Sequence, residues 1–339
     1  MNAPWIEDLF GGALPQDGAA FERAGRSLVV SRGVVRDLAV SDLDQAQTRD
    51  TFAFKWSKRE TYQSAGMRAV IAPWLRARYG ALLSELEAQA GKPLVLDAGC
   101  GSGNAASMLF EDCAHAIRYV GADISSAVDL ARETLAPMIA DHVFVQGDLM
   151  SLPFRDGSFD VVLSEGVLHH TPSTQRAISA TARLVRPGGL YAIYVYNKKG
   201  PVREFTDDFI RQKIADLPPQ QAWEMLMPLT KLGKALGDLN VEIDVPEDVA
   251  LLGIPKGRID VQRLFYWYVC KLFHRSELSL DEMNHINFDW FMPKYCHRQT
   301  PEEVRAWCEA AGLKILSLNA EEAGITAIAR RPASGRAHG

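Results

Sequence analysis

The sequence predicts an α/β fold built on a mostly parallel sheet with helices on both faces. Three observations carry that reading. Short apolar strands alternate with helical segments through residues 94–196. A glycine-rich turn follows the first of these strands, where open α/β sheets bind ligands. After a long interruption, a capped helix and a closing hairpin complete the pattern at 300–331.

Residues 1–50 read as an appendage: the apolar runs 28–30 and 34–35 flank Ser31-Arg32-Gly33 and predict a short hairpin, and the polar stretch 41–50 predicts a linker. Residues 51–196 form the first part of the core. A helix is expected over 67–86, strands over 94–96, 119–122, 143–146 and 159–164, and helices over 127–139 and 175–184. The turn Arg186-Pro187-Gly188-Gly189 then leads into a strand to Tyr196. Residues 197–299 break the alternation as a mostly helical insertion, with periodic stretches at 205–214, 221–239 and 261–273 and an irregular, polar run at 284–298. The core resumes at 300–331. Thr300-Pro301-Glu302-Glu303 is a capping box with proline in the first turn, opening a helix to Ala311, and strands at 313–318 and 325–329 form the hairpin. Residues 332–339 read as a frayed tail.

Composition narrows the function classes. The 339 residues are 47% hydrophobic and 23% charged, as in ordinary globular proteins. The formal charge of −5 lacks the basic footprint of a nucleic-acid binder, so no nucleic-acid partner is expected. No apolar run approaches the ~20 residues that cross a bilayer, and Glu7 and Asp8 stand where a signal peptide carries positive charge, so a cytoplasmic protein without membrane contact is expected. Five cysteines, in no CxxC pair, predict free and mostly buried thiols. A metal reading of His285, Asp289, Cys296 and His297 matches no standard spacing, and no metal is expected. The oligomeric state is not readable from the chain.

The strongest local motif is Leu94-Val95-Leu96-Asp97-Ala98-Gly99-Cys100-Gly101-Ser102-Gly103-Asn104. Alternate glycines let the backbone turn sharply and approach a ligand. Two ligand classes compete. Gly101 to Ala106 fits the dinucleotide pattern GxGxxA, but Asp97 places an anion where a pyrophosphate would sit. An anion there suits a ligand with an amino group and a sulfonium charge. Asp123, 20 residues past Gly103 at the end of the next strand, suits ribose hydroxyls. Gly147-Asp148-Leu149 follows the third strand, where an aspartate can accept from an adenine amino group. The fourth strand leads into Ser164-Glu165-Gly166-Val167-Leu168-His169-His170.

These stretches, with Leu152–His170 and the LVRPGG run at 184–189, resemble class I S-adenosylmethionine-dependent methyltransferases, especially the small-molecule branch similar to ubiquinone/menaquinone-type enzymes. The resemblance covers about 95–196 and 300–331. It implies a Rossmann-like seven-stranded sheet whose last strand is antiparallel, S-adenosylmethionine as cofactor and a small-molecule substrate. It implies that Asp97, Gly99, Gly101 and Gly103 surround the methionine part, with Cys100 in the same loop. Asp123 and Ile124 would hold ribose and adenine, Asp148 and Leu149 the adenine edge, and Gly147, Ser164 and Glu165 complete the candidate set.

Catalysis of methyl transfer to a hydroxyl or protonated amine benefits from a general base, and His169 and His170 follow the fourth strand on the ligand edge. Neighbours on a turn point apart, so at most one is expected to reach an acceptor. Trp56 and Tyr62 could pack around a sulfonium or simply anchor the N-terminal segment. From the insertion, Arg263, Tyr266, Asn287, Asp289, Trp290, His297 and Arg298 are candidates for a polar substrate wall. The expected activity is methylation of an oxygen or nitrogen on a small polar metabolite such as a sugar or amino-acid derivative. Carbon methylation of a lipophilic aromatic or polyketide and a cofactor-binding pseudoenzyme are the alternatives.

Overall fold

A computed structural model describes residues 3–37, 39, 43–89 and 91–333. In chain order the elements are α1 (Pro4–Phe10), β1 (Ala20–Arg23), β2 (Arg26–Ser31), β3 (Val34–Asp37), α2 (Leu43–Ser57), α3 (Arg59–Tyr62), α4 (Ala65–Glu87), β4 (Leu94–Ala98), α5 (Asn104–Leu109), β5 (Arg118–Asp123), α6 (Ala127–Leu135), β6 (His142–Gln146), β7 (Phe159–Glu165), α7 (Thr174–Ala182) and β8 (Val185–Tyr196). There follow α8 (Pro201–Ile214), α9 (Pro219–Asp238), β9 (Glu242–Val245), β10 (Gly257–Asp260), α10 (Val261–Tyr268), α11 (Leu280–Phe291), α12 (Pro301–Ala310), β11 (Lys314–Ala320) and β12 (Gly324–Arg330).

The main sheet runs β1-β2-β3-β6-β5-β4-β7-β8-β12-β11. Its segment from β6 to β11 is the expected seven-stranded sheet: β6, β5, β4, β7 and β8 are parallel, and β12, the last strand in the chain, is antiparallel to both neighbours. Near-continuous apolar runs such as Val143-Phe144-Val145 and Val161-Val162-Leu163 are buried because helices cover both faces. One core packs β2–β8 against α7, α12 and α1, and a second packs the opposite face against α4, α5 and α6. Because β4, β5, β6 and β7 are parallel, Ala98, Asp123, Gln146 and Glu165 end on one edge. Chain order reverses direction across β4, which places the glycine loop at the switch point.

The N-terminal segment departs from expectation. The β2–β3 hairpin forms with Ser31 opposite Val34, but β3 also pairs in parallel with β6 through Val35–Val145 and Arg36–Gln146, so the segment extends the sheet by three strands. The polar stretch expected as a linker is helical from Leu43, continuous through α2 to Ser57; Ser41 and Asp42 lie outside the described residues. Its buried side is Gln45, Thr48, Thr51 and Lys55, a helical period written in polar residues. Gln47 fastens it by donating to the carbonyls of Ala215 and Met292, each at 3.1 Å.

A second correction concerns 284–298. Most of it is regular: α11 reaches Phe291, opened by a Ser279/Glu282 capping box. Its buried amides serve packing against α9. Asn284 donates to the Trp223 carbonyl (3.0 Å) and accepts from Thr230 (2.7 Å), while Asn287 donates to Thr230 (2.9 Å) and accepts the Phe273 amide (3.2 Å). The expected turn at 186–189 is a bulge within β8, where pairing with β7 jumps from Val185 to Leu190. Residues 331–333 carry no regular structure, and the rest of the expected tail lies outside the described residues. All five cysteines are buried and free. Among the described residues no helix is long and apolar enough to cross a membrane.

Candidate active site

A cavity of about 540 Å³ opens at the carboxyl edge of the sheet. The ends of β4 to β8 and the start of α5 form part of its wall, α2, α3 and α4 another, and residues of 199–290 with Glu321, Glu322 and Ala323 a third.

The glycine loop leaves β4 with Gly99 at φ +95° and Gly101 at φ +52°. A Cβ on Gly99 would stand 2.3 Å from a Val167 methyl, and one on Gly101 2.8 Å from the Trp56 indole nitrogen. Glycine is therefore required twice over, by conformation and by close approach. Asp123 organises the loop. Its Oδ2 accepts the Gly101 amide at 2.9 Å, and its Oδ1 accepts from the Ser125 amide (2.8 Å) and hydroxyl (2.6 Å). Burial raises its pKa, with those bonds opposing the shift. Three of about four lone-pair sites are thus used within the protein, leaving capacity for one more donor.

Of the expected cofactor residues, Gly99, Cys100, Gly101, Asp123, Ile124, Asp148, Leu149 and Glu165 line the cavity. Asp97, Gly103, Gly147 and Ser164 do not. Asp97 is 4% exposed and accepts from the Tyr119 hydroxyl at 2.7 Å, and burial lifts its pKa to about 7. Gly103 caps α5 in the left-handed region, and Ser164 donates to the Ala98 carbonyl at 2.6 Å, tying β7 to β4. Glu165 accepts from the Tyr79 hydroxyl and from Arg78 at 3.3 Å, which oppose the upward shift that burial imposes on its pKa.

The two histidines face different surroundings. His170 lines the cavity and His169 does not. His169 is wholly buried, its ring 3.8 Å from that of Tyr196, with neither nitrogen hydrogen-bonded. His170 Nδ1 meets the Tyr295 carbonyl at 2.7 Å; a carbonyl only accepts, so Nδ1 carries the proton and Nε2 keeps its lone pair. Nε2 has no hydrogen-bond partner among the described residues. Burial lowers the His170 pKa to about 4, so the ring is neutral near pH 7.

Of the expected substrate residues, Trp56, Tyr62, Arg263, Tyr266, Asp289 and Trp290 line the cavity. Asn287 is used between α9 and α11. His297 reaches the Thr171 carbonyl at 3.1 Å, and Arg298 binds Glu204 (2.6 Å) and Asp208 (2.8 Å), so both brace the insertion instead. Asp289 accepts from Lys55 Nζ at 2.5 Å and from the Tyr196 hydroxyl at 2.8 Å, and Lys55 holds its pKa well below the carboxylate range despite burial.

Sequence reasoning missed Lys55, Trp74, Tyr194, Tyr196, Lys199 and Lys271, which also line the cavity. Tyr194 and Tyr196 could have been found, since β8 ends on the ligand edge. The lysines carried no local pattern.

Residues 96–193 match the family described as a methyltransferase domain. The chain is 36% identical over 244 residues to an uncharacterised protein of Synechococcus sp., covering 68% of this chain and 49% of that one. It is 37% identical over 102 residues to a phthiotriol/phenolphthiotriol dimycocerosates methyltransferase of Mycobacterium tuberculosis, covering 30% and 37%. The chain thus spans about half or less of the length of these two relatives. Among solved structures, magnesium protoporphyrin IX methyltransferase from Synechocystis with bound S-adenosylhomocysteine aligns at a TM-score of 0.47 and 15% identity, over 85% of this chain and 99% of that one.

Proposed function

We propose that the chain, whose residues 96–193 match the family described as a methyltransferase domain, transfers a methyl group from S-adenosylmethionine to an oxygen or nitrogen of a small polar metabolite, of the sugar or amino-acid-derivative kind. One observation carries the reading: the glycine loop with Asp123 and the neutral, tautomer-fixed ring of His170 line a single cavity.

The residues present fit the cofactor. Gly99 and Gly101 bring backbone close to the cavity where a Cβ would meet Val167 or Trp56. Asp123 retains one acceptor site for a ribose hydroxyl, and Asp148, whose Oδ1 accepts the Met150 amide at 2.9 Å, has its other oxygen for the adenine edge. When bound, the cofactor supplies a methyl group on a sulfonium, an electrophile that needs alignment more than activation. His170 Nε2 would take the proton that the acceptor hydroxyl or ammonium gives up. Its pKa of about 4 makes it a weak base that is always in the right protonation state near pH 7. Trp56, Tyr62, Tyr194 and Tyr196 exclude water and seat the body of the acceptor.

The aromatic lining also favours a second reading, carbon methylation of a lipophilic aromatic or polyketide, which has no need of His170. Incubating the protein with methyl-tritiated S-adenosylmethionine and fractionated metabolite pools tests both. Label entering a base-labile or acid-stable O- or N-methyl product, lost in His170→Ala, supports the first reading. Label on carbon, undiminished in that variant, supports the second. No transfer with intact cofactor binding points to a pseudoenzyme.

A further inference from the structure

The insertion side of the cavity is cationic. Lys199, Arg203, Arg263, Lys271 and Arg275 line it, and three of them gather around one indole: Lys271 Nζ lies 4.6 Å, the Arg203 guanidinium 5.3 Å and Lys199 Nζ 5.7 Å from the Trp290 ring. Their partners leave positive charge over. Arg203 is paired with Asp207 at 2.7 Å, and Asp207 also accepts the Trp290 indole N–H at 2.7 Å. Among the described residues Lys199 Nζ donates only to backbone carbonyls, those of Glu322 and Ala323. Arg263 likewise reaches a carbonyl, that of His274, at 3.2 Å. Asp289, the carboxylate nearest in effect to Lys271, is already bound by Lys55. Lys271 itself is 6% exposed, and among the described residues its ammonium makes no hydrogen bond and no ion pair.

A buried, unpaired ammonium is costly and is retained where something else completes it. Desolvation, together with the neighbouring Arg203 charge, pulls the Lys271 pKa down to about 7. Desolvation with Arg203 and Lys271 does the same to Lys199. Negative oxygens placed between these ammonium groups would relieve both burdens at once. Aromatic walls beside cations are the composition that holds a flat body with an anionic head.

We infer that this part of the cavity is a binding site for anionic oxygens, gripped by Lys271 and Lys199 beside Trp290, and that the methyl acceptor carries a carboxylate or phosphate there. The identification of the bound molecule as the methyl acceptor rests on the methyltransferase reading; the anion site itself does not.

The test uses the full chain and four probes: benzoate against benzamide, and phenyl phosphate against phenol, titrated by calorimetry with and without S-adenosylhomocysteine. The wild-type protein is expected to prefer at least one anion over its neutral partner by tenfold or more, which also separates carboxylate from phosphate. Lys271→Met and Lys199→Gln, checked for folding by circular dichroism, should each reduce that preference to threefold or less while S-adenosylhomocysteine affinity changes less than threefold. Equal binding of the charged and neutral partners, or binding of neither pair, overturns the inference. So does a tenfold loss of S-adenosylhomocysteine affinity in Lys271→Met, which would assign the cations to the cofactor carboxylate. Absence of S-adenosylhomocysteine binding to wild type, with anion preference intact, defeats the methyltransferase reading alone.

Discussion

The Gly101 amide donates to Asp123 at 2.9 Å, so a carboxylate at the end of β5 clamps the glycine loop that follows β4. The sequence led to an expectation of an Asp123 with both oxygens turned to a ribose. In the structure, most of its capacity is spent on holding Gly101 and Ser125.

Asp123→Ala is therefore expected to act twice. Removing the acceptor leaves the Gly101 and Ser125 donors unsatisfied in a buried setting, at about 1–3 kcal/mol of stability. It also frees the loop and removes the remaining site for a ribose hydroxyl, weakening S-adenosylhomocysteine by roughly 30-fold or more. Calorimetric titration and thermal unfolding of both proteins check this. A variant that melts normally and binds normally would mean that the clamp is unimportant.

His170→Ala should lower methyl transfer by ~10²–10⁴-fold with cofactor affinity unchanged, the usual range for a general base. His169→Ala should instead lower stability, because its ring packs on Tyr196 away from the cavity. Single-turnover transfer and chemical denaturation separate the two effects. If His169→Ala is the variant that loses rate, the roles are reversed.

The buried histidines weaken the fold as the pH falls from 6.5 toward 4, opposed by Asp97, whose pKa of about 7 lets the folded protein take up a proton before the unfolded chain does. Burial holds His170 to about 4 and His285 to about 3, and lowers His169 well below the ordinary histidine value. An unfolded chain takes up protons below its ordinary histidine pKa near 6.5, whereas these folded sites do not. The histidine contribution to stability is thus full above pH 6.5 and declines as the pH falls toward the folded values. For His170 alone the loss amounts to about 3 kcal/mol at pH 4. Urea titrations at pH 7 and pH 5 isolate the histidine contribution: the change in midpoint toward pH 5 should be more favourable in His170→Asn than in the wild-type protein, and equal changes would mean that His170 titrates normally.

The legible parts of this protein were those whose physics is local. Buried parallel strands read as apolar runs, and the glycine loop is legible because positive φ and close approach both demand glycine. The hairpin at 28–35 was visible, but its pairing with β6 is a contact between Val35 and Val145 that no neighbouring residue announces. The helix α2 was hidden because its buried face is Gln45, Thr48, Thr51 and Lys55. In α11 the error ran the other way. Asn284 and Asn287 look like pocket residues by type, yet their amides bond across to α9. Lys271 could not be singled out, since what distinguishes it is that, among the described residues, its ammonium makes no hydrogen bond and no ion pair.

Asn287→Ala tests that reassignment and is the sharpest separation of packing from binding in the insertion. Asn287, Asn284 and Thr230 are fully buried, and the Asn287 side chain bridges the Thr230 hydroxyl and the Phe273 amide. Truncation leaves a buried amide without its acceptor and opens a small void between α9 and α11, so a loss of about 1–3 kcal/mol is expected. Because Asn287 does not line the cavity, S-adenosylhomocysteine affinity and the benzoate-to-benzamide preference should stay within about twofold of wild type. Denaturant unfolding measures the first quantity and calorimetry the second. Loss of ligand preference at unchanged stability would return Asn287 to the substrate wall that the sequence suggested.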